Sequence, residues 1–282
     1  MFKNFSFLLI ALFLVSCESD SYDLVIQNGI IYDGSGSDSE SVDIAIIGNQ
    51  IVKVGKINSK NSIKIIDASG LVVSPGFIDT HAHLDPMSNF IKLSNGESHV
   101  RQGVTTSFGG PDGRGVPLKY GFKEFLDSIE KVGVGMNVGF LTGHNKIRRV
   151  VMNLDNREPT EKELERMKNL ASKAMDEGAF GISTGLKYLP GNFSKVDEVI
   201  EISKEISKKG GVYTSHLRDE GLKIIEAVNE AIKISKDADI SVVLTHHKVI
   251  GKPMWGKSSI TLSLIDSARQ KGIKVMADQY PY

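Results

Sequence analysis

Ser74-Pro75-Gly76-Phe77-Ile78-Asp79-Thr80-His81-Ala82-His83 joins a short apolar run to two histidines spaced i, i+2. Residues two apart on a strand point the same way. His81 and His83 can therefore aim two imidazoles at one point just past the strand end. Alone, a His-X-His pair is a weak signal, more often a surface or packed pair. Its weight here comes from recurrence downstream. Further strand candidates stand at 104–108, 137–141, 179–184, 212–215, 241–245 and 274–277, after the first at 77–80. His216, Arg218, Asp219 and Glu220 follow the fifth, and His246, His247 and Lys248 follow the sixth. Five of the seven histidines thus sit at strand ends.

Amphipathic segments fill the gaps between these runs. Leu164, Met167, Leu170, Ala171 and Ala174 recur at helical spacing. Thr160 with Glu163, and Ser194 with Asp197, have the spacing of capping boxes. Strand, helix, strand repetition implies a parallel sheet with right-handed crossovers. Seven such strands favour an α/β fold of TIM-type (β/α) barrel over an open sheet, although periodicity does not separate the two. A barrel gathers chemistry at the C-terminal ends of its strands. His81, His83, His216 and His246 then converge on one mouth, where imidazoles suit a zinc-like ion with an open position for water. His216 alone would be read as a packed core histidine. His99 lies in a helical stretch and is read as structural. His144 follows the third strand, with substrate contact and loop packing both open.

Residues 23–75 have a different rhythm. Asn28-Gly29, Asp33-Gly34 and Gly48-Asn49 punctuate short alternating runs, which is the pattern of β-hairpins. This block is read as a small all-β segment. Before it, Lys3 and an apolar run over 5–15 resemble a secretory signal, too short for a bilayer-spanning helix of roughly 20 residues. Leu14-Val15-Ser16-Cys17 resembles a bacterial lipobox, with Cys17 as the lipidated residue; an ordinary signal that happens to hold a Cys is the alternative. Cys17 is the single cysteine, so disulfides are excluded from the mature chain. The expected organisation is a signal over 1–16, a tether over 17–22, the β segment over 23–75 and the barrel over 76–282. The expected location is an exported, membrane-anchored lipoprotein, periplasmic or at the cell surface. Lys plus Arg and Asp plus Glu both number 34, with no basic stripe, so nothing favours a nucleic-acid partner.

Beyond the first motif, several stretches carry a family resemblance: Gly103-Val104-Thr105-Thr106, the run from Gly178 to Gly191, Ser215-His216-Leu217-Arg218-Asp219-Glu220, Thr245-His246-His247-Lys248 and Asp278-Gln279-Tyr280-Pro281-Tyr282. Together with 74–83 they resemble the N-acyl-D-amino-acid deacylase (D-aminoacylase) family of the amidohydrolase superfamily. The resemblance covers about Asp23 to Tyr282. It makes residues 23–75 part of a small β-sandwich. It implies deacylation of N-acyl-D-amino acids by metal-bound hydroxide, with one or two zinc ions and a small N-acyl amino acid as partner. His81 and His83 would hold one metal position, and His216 and His246 the tighter one. His247 would face a helix or the substrate. Lys248 and Tyr188 match positions that meet the substrate carboxylate, and His144 with Arg148 matches a loop over the substrate.

The chain departs from the family's pattern in two places. Where the family has a metal-ligating Cys after the second strand, Gly109-Gly110-Pro111-Asp112-Gly113 stands, with Asp112 at or near that place. A carboxylate can ligate or bridge zinc; if the alignment slips, Asp112 is a turn residue. The family's catalytic Asp follows the eighth strand. The seventh candidate ends just before Tyr282, so the general base is expected beyond it and the barrel is read as incomplete, about seven of eight strands. A cyclic-amide or dipeptide hydrolase on the same barrel, or an inactive truncated lipoprotein, are the alternatives.

Overall fold

In the computed structural model, residues 21–84, 95–116 and 121–280 are described. They divide into two units between Pro75 and Gly76. The first holds β1 (Leu24–Gln27), β2 (Ile30–Ile31), β3 (Glu40–Ser41), β4 (Asp43–Ile47), β5 (Gln50–Gly55), β6 (Lys64–Asp67) and β7 (Val72–Val73). They form two small sheets, ordered β5-β4-β1-β6 and β3-β2-β7. Gly48-Asn49 makes the tight hairpin its sequence implies: Ile47 faces Gln50, and Gly48 has φ 58°, as a primed turn requires. Asn28-Gly29 does not make a hairpin. It passes the chain from β1 in one sheet to β2 in the other. A Cβ on Gly29 would lie 2.6 Å from Val73 Cγ2, so close packing sets the glycine there. Asp33-Gly34 lies in a longer connection between antiparallel β2 and β3. Tyr22, Val25, Ala45 and Ile57 form this unit's core.

The second unit carries β8 (Phe77–Asp79), β9 (Val104–Gly109), β10 (Asn137–Phe140), β11 (Thr142–Gly143), β12 (Gly181–Gly185), β13 (Val212–His216), β14 (Val242–Leu244) and β15 (Val275–Ala277). Every pairing among them is parallel. The third candidate strand, expected over 137–141, is broken at Leu141. β10 pairs with β9 and β11 pairs with β12, while the Leu141 N–H donates to the Gly109 carbonyl at 3.0 Å. One strand position thus serves both neighbours, and β8 to β15 make seven positions in chain order.

The helices Phe122–Val132, His144–Met152, Glu161–Asp176, Val196–Ser207, Ile224–Ala238 and Ser258–Gln270 alternate with these strands. Met167, Ala171, Ile202, Ile206, Val228, Ala231 and Ile234 come from helix faces and pack with Tyr213, Val242 and Leu244 of the sheet. The helix Glu161–Asp176 begins with a full capping box: Thr160 Oγ1 accepts from the Glu163 N–H at 3.3 Å, and Glu163 accepts from the Thr160 N–H at 2.8 Å. Thr160→Ala is expected to lower the melting temperature by roughly 2–4 °C, measured by calorimetry. The second expected box is not formed. Lys195 is the N-cap of Val196–Ser207, without a side-chain bond. Ser194 instead donates to the Gly191 carbonyl at 2.5 Å, because the 3₁₀ turn before it claims the hydroxyl.

The sheet is strongly curved. β8 and β14 are five intervals apart in strand order, roughly 24 Å across a flat sheet. Yet the rings of His81 and His246, which follow them, have centroids 4.9 Å apart. Thr80, after β8, donates to Asp278 Oδ2, after β15, at 2.9 Å. Only a sheet curling toward closure brings these ends together, and this is the α/β order of a TIM-type barrel.

Candidate metal centre

Asp112 sits at the middle of the barrel mouth, in the loop leaving β9. Ser183 of β12 pins that loop at two points: its hydroxyl donates to the Gly110 carbonyl at 2.6 Å and accepts from the Gly113 N–H at 3.0 Å. Gly143 lies so close beneath that a Cβ there would come within 2.3 Å of the Gly113 carbonyl. Asp112 itself has φ 55°, a conformation that Asp tolerates better than most residues. Pinned in this way, its carboxylate is buried at 8% exposure and turned toward four histidines.

His81 Nε2 lies 3.6 Å from Asp112 Oδ1, and His83 Nε2 lies 3.2 Å from Oδ2. His216 Nδ1 and His246 Nε2 lie 3.4 and 3.7 Å from Oδ1. Oδ1 is buried, yet no contact to it has the geometry of a hydrogen bond. These separations match the edges of a tetrahedral zinc site, roughly 3.3 Å for ligand bonds near 2.0–2.1 Å. His216 Nδ1 and His246 Nε2 are closer, at 2.7 Å, and would spread by about half an ångström around a shared ion. Two ligand triads result, His81–His83–Asp112 and Asp112–His216–His246, joined at Asp112. The donor set therefore fits a metal.

The profile of the amidohydrolase family matches residues 64–194. A D-aminoacylase of Alcaligenes xylosoxydans xylosoxydans is 34% identical over 285 residues, covering 94% of this chain and 58% of that protein. Over nearly its full length the chain is similar to amidohydrolases. Two solved structures agree with that placement. A D-aminoacylase with a binuclear metal centre superposes with TM-score 0.85 at 33% identity, over 93% of this chain and 59% of the other. An N-acyl-D-glutamate deacylase from Bordetella bronchiseptica, complexed with zinc and a phosphonate mimic of the tetrahedral intermediate, gives 0.86 at 30% identity over the same shares. The chain spans somewhat under three fifths of the length of these amidohydrolase relatives.

Electrostatics in this mouth follow from the crowding of acids and imidazoles. Burial works against charge on Asp112, but the facing His216, His246, His81 and His83 hold its carboxyl far below the usual range. Burial likewise opposes the charge on Glu220, yet His246 and Lys248 bring it down to about 2. His246 loses basicity to burial and regains more from Asp112 and Glu220, rising to about 9. Burial, then the charges of Asp112 and Glu220, push the Tyr188 phenol up, so it remains a hydrogen-bond donor.

The remaining candidates divide into two groups. Tyr188 and Lys248 stand at the mouth. The Tyr188 ring is 4.5 Å from the His216 ring, and Lys248 Nζ is bonded to Glu220 and lies 5.8 Å from the Tyr280 ring. His144 and Arg148 engage a buried acid instead. His144 Nε2 is 2.9 Å from Glu198 Oε1, and Arg148 Nη1 binds Glu198 Oε2. Both side chains are fully buried. The arrangement favours packing for His144 and pairs Arg148 with the same buried carboxylate. His247 turns from the cluster and bonds Thr261 on the helix Ser258–Gln270 at 2.9 Å. Cys17 lies outside the described residues.

Two residues at the centre escape a reading of ligand spacing. Asp278 Oδ1 accepts the His246 N–H at 2.5 Å, holding that residue at φ 40°. Glu220 bonds the His246 ring and Lys248. Both follow strands directly or closely, and that position is the signal that could have found them.

Proposed function

We propose that the complete protein is a zinc-dependent amide hydrolase that deacylates N-acyl-D-amino acids. The observation that carries this reading is the convergence of His81, His83, His216 and His246, from three separate strands, on the buried Asp112. Its similarity to D-aminoacylase and N-acyl-D-glutamate deacylase supports the substrate class. When bound, zinc supplies Lewis acidity toward the acyl carbonyl and a water acidified toward neutral pH.

The chain's own residues do the rest. Asp112 joins the two triads, which suits one or two ions. Lys248 offers a cation, and Tyr188 a protonated phenol, to the carboxylate of an amino-acid product or substrate. Burying that carboxylate against Lys248 orients the acyl nitrogen and carbonyl over the metal position. No described residue is assigned the role of general base.

The full-length, zinc-loaded protein is expected to release free amino acid from N-acyl-D-amino acids faster than from their L-isomers or from hydantoins. Chiral chromatography of the products measures this. Zinc bound at one or two equivalents with no hydrolysis of any N-acyl amino acid would overturn the substrate assignment. We also infer, from the sequence alone, that Cys17 carries a lipid anchor. Labelled palmitate should enter the wild type but not Cys17→Ser; equal labelling of both would refute the anchor.

A further inference from the structure

Glu220 lies four residues beyond His216, in the loop that leaves β13, and its side chain is only 11% exposed. The loop is well fixed. Asp219 Oδ1 accepts the N–H groups of Gly221 and Lys223 at 2.8 and 3.0 Å. The Glu220 carbonyl accepts the Ile250 N–H at 2.8 Å, which ties this loop to the one after β14. From that position Glu220 Oε1 reaches His246 Nδ1 at 3.0 Å and also bonds Lys248 Nζ.

His246 has one nitrogen on each side of a boundary. Nε2 faces Asp112 and His216, and Nδ1 faces Glu220. An imidazole offers a lone pair to a metal at one nitrogen while its proton sits on the other. Lys248 complicates the choice, because Nζ is also 3.0 Å from His246 Nδ1. An ammonium is donor-only. Left alone beside Nδ1, it would place the ring's proton on Nε2, the nitrogen the metal needs bare. A carboxylate between them accepts from both groups and reverses that preference.

We propose that Glu220 is a positioning residue that sets His246 as an Nε2 metal ligand and holds Lys248 off its ring. One side chain thereby links the metal centre to the cation assigned to the substrate carboxylate. This inference rests on the metal-site reading above.

Cobalt(II) titration of the full-length, metal-free protein tests it, with affinity and the visible ligand-field spectrum as readouts. Glu220→Ala is expected to weaken cobalt binding by about 10- to 100-fold and to alter the spectrum. Glu220→Gln, isosteric and a weaker, neutral acceptor, should lose a smaller but measurable factor, roughly three- to tenfold, with a shifted spectrum. In Glu220→Ala with Lys248→Met, the competing donor is gone, so part of the affinity and the parent spectrum should return. A purely structural role for Glu220 would not produce that rescue. If wild type binds cobalt while both single variants match it in affinity and spectrum, the positioning role is refuted and the metal site stands. If Glu220→Ala fails to fold, the Gln variant decides by the same criterion. If wild type binds no cobalt, the metal reading and this inference fall together.

Discussion

Asp112→Ala is expected to empty both candidate metal positions at once. Each triad contains Asp112, and among the five residues of the two triads it is the only acidic one. The four imidazoles can each coordinate as neutral ligands, but none supplies the negative charge that balances a divalent ion in a buried mouth. Loss of a residue that merely orients a ligand costs about 10–100-fold in metal affinity, so loss of this shared ligand should exceed about 100-fold. Zinc content by inductively coupled plasma mass spectrometry, and hydrolysis of an N-acyl-D-amino acid, should both fall to background. Single alanine replacements of His81 and of His246 should each remove one position and weaken the other less. Retention of a full zinc complement by Asp112→Ala would return Asp112 to the status of a turn residue.

Arg148→Ala should produce the largest loss of stability. Glu198 has 2% side-chain exposure, and Arg148 and His144 have none. Burial opposes the Glu198 charge, yet His144 first and then Arg148 hold its carboxyl below the usual range. Taking Arg148 away leaves a buried carboxylate with one partner. Breaking such a pair from one side costs about 3–5 kcal/mol. The melting temperature should then fall by roughly 6–20 °C. A second contact adds to the loss: Arg148 Nη2 donates to the Arg157 carbonyl at 2.7 Å, which staples the following connection to the helix His144–Met152. The sign of charge matters less than shape here, so Arg148→Lys should also be destabilising, because an ammonium cannot reach both partners in the guanidinium's fork. An Arg148→Lys variant with unchanged melting temperature and a raised KM would instead place Arg148 against the substrate.

The candidate ligand histidines were legible because their geometry is local. Two residues on one strand point alike whatever the surrounding fold, and β8 carries His81 and His83 to the mouth as that rule requires. The strands themselves were legible to within a residue or two, since their apolar runs and caps are local as well. Thr160 and Glu163 satisfy each other within one turn of helix. Ser194 and Asp197 have the same spacing and fail, because the preceding turn uses the hydroxyl. Local pattern names the competitors without deciding between them.

His144, Arg148 and His247 were not legible in the same way. His144 and His247 sit beside strand ends, as a ligand would, and Arg148 one helical turn further on, but their partners come from elsewhere in the chain. Glu198 is 54 residues beyond His144 and 50 beyond Arg148. Nothing in the spacing of those residues indicates whether the side chain turns to the mouth or to a helix. Asp278 is 198 residues from Thr80, and it bonds Thr80 only because the sheet curls.

The sequence by itself determined the strand and helix order, the switch from all-β to alternating β/α at about Gly76, and the pairing of His81 with His83. Those follow from periods of two and 3.6 residues, which the chain carries regardless of its surroundings. The tertiary structure decided that Asp112 is the common neighbour of four histidines, that Glu220 and Asp278 hold His246, and that His144 and Arg148 serve Glu198. Those depend on the curvature that carries strand ends roughly 24 Å apart in a flat sheet to within contact, a sum of small twists across all seven strands that no single stretch of sequence encodes.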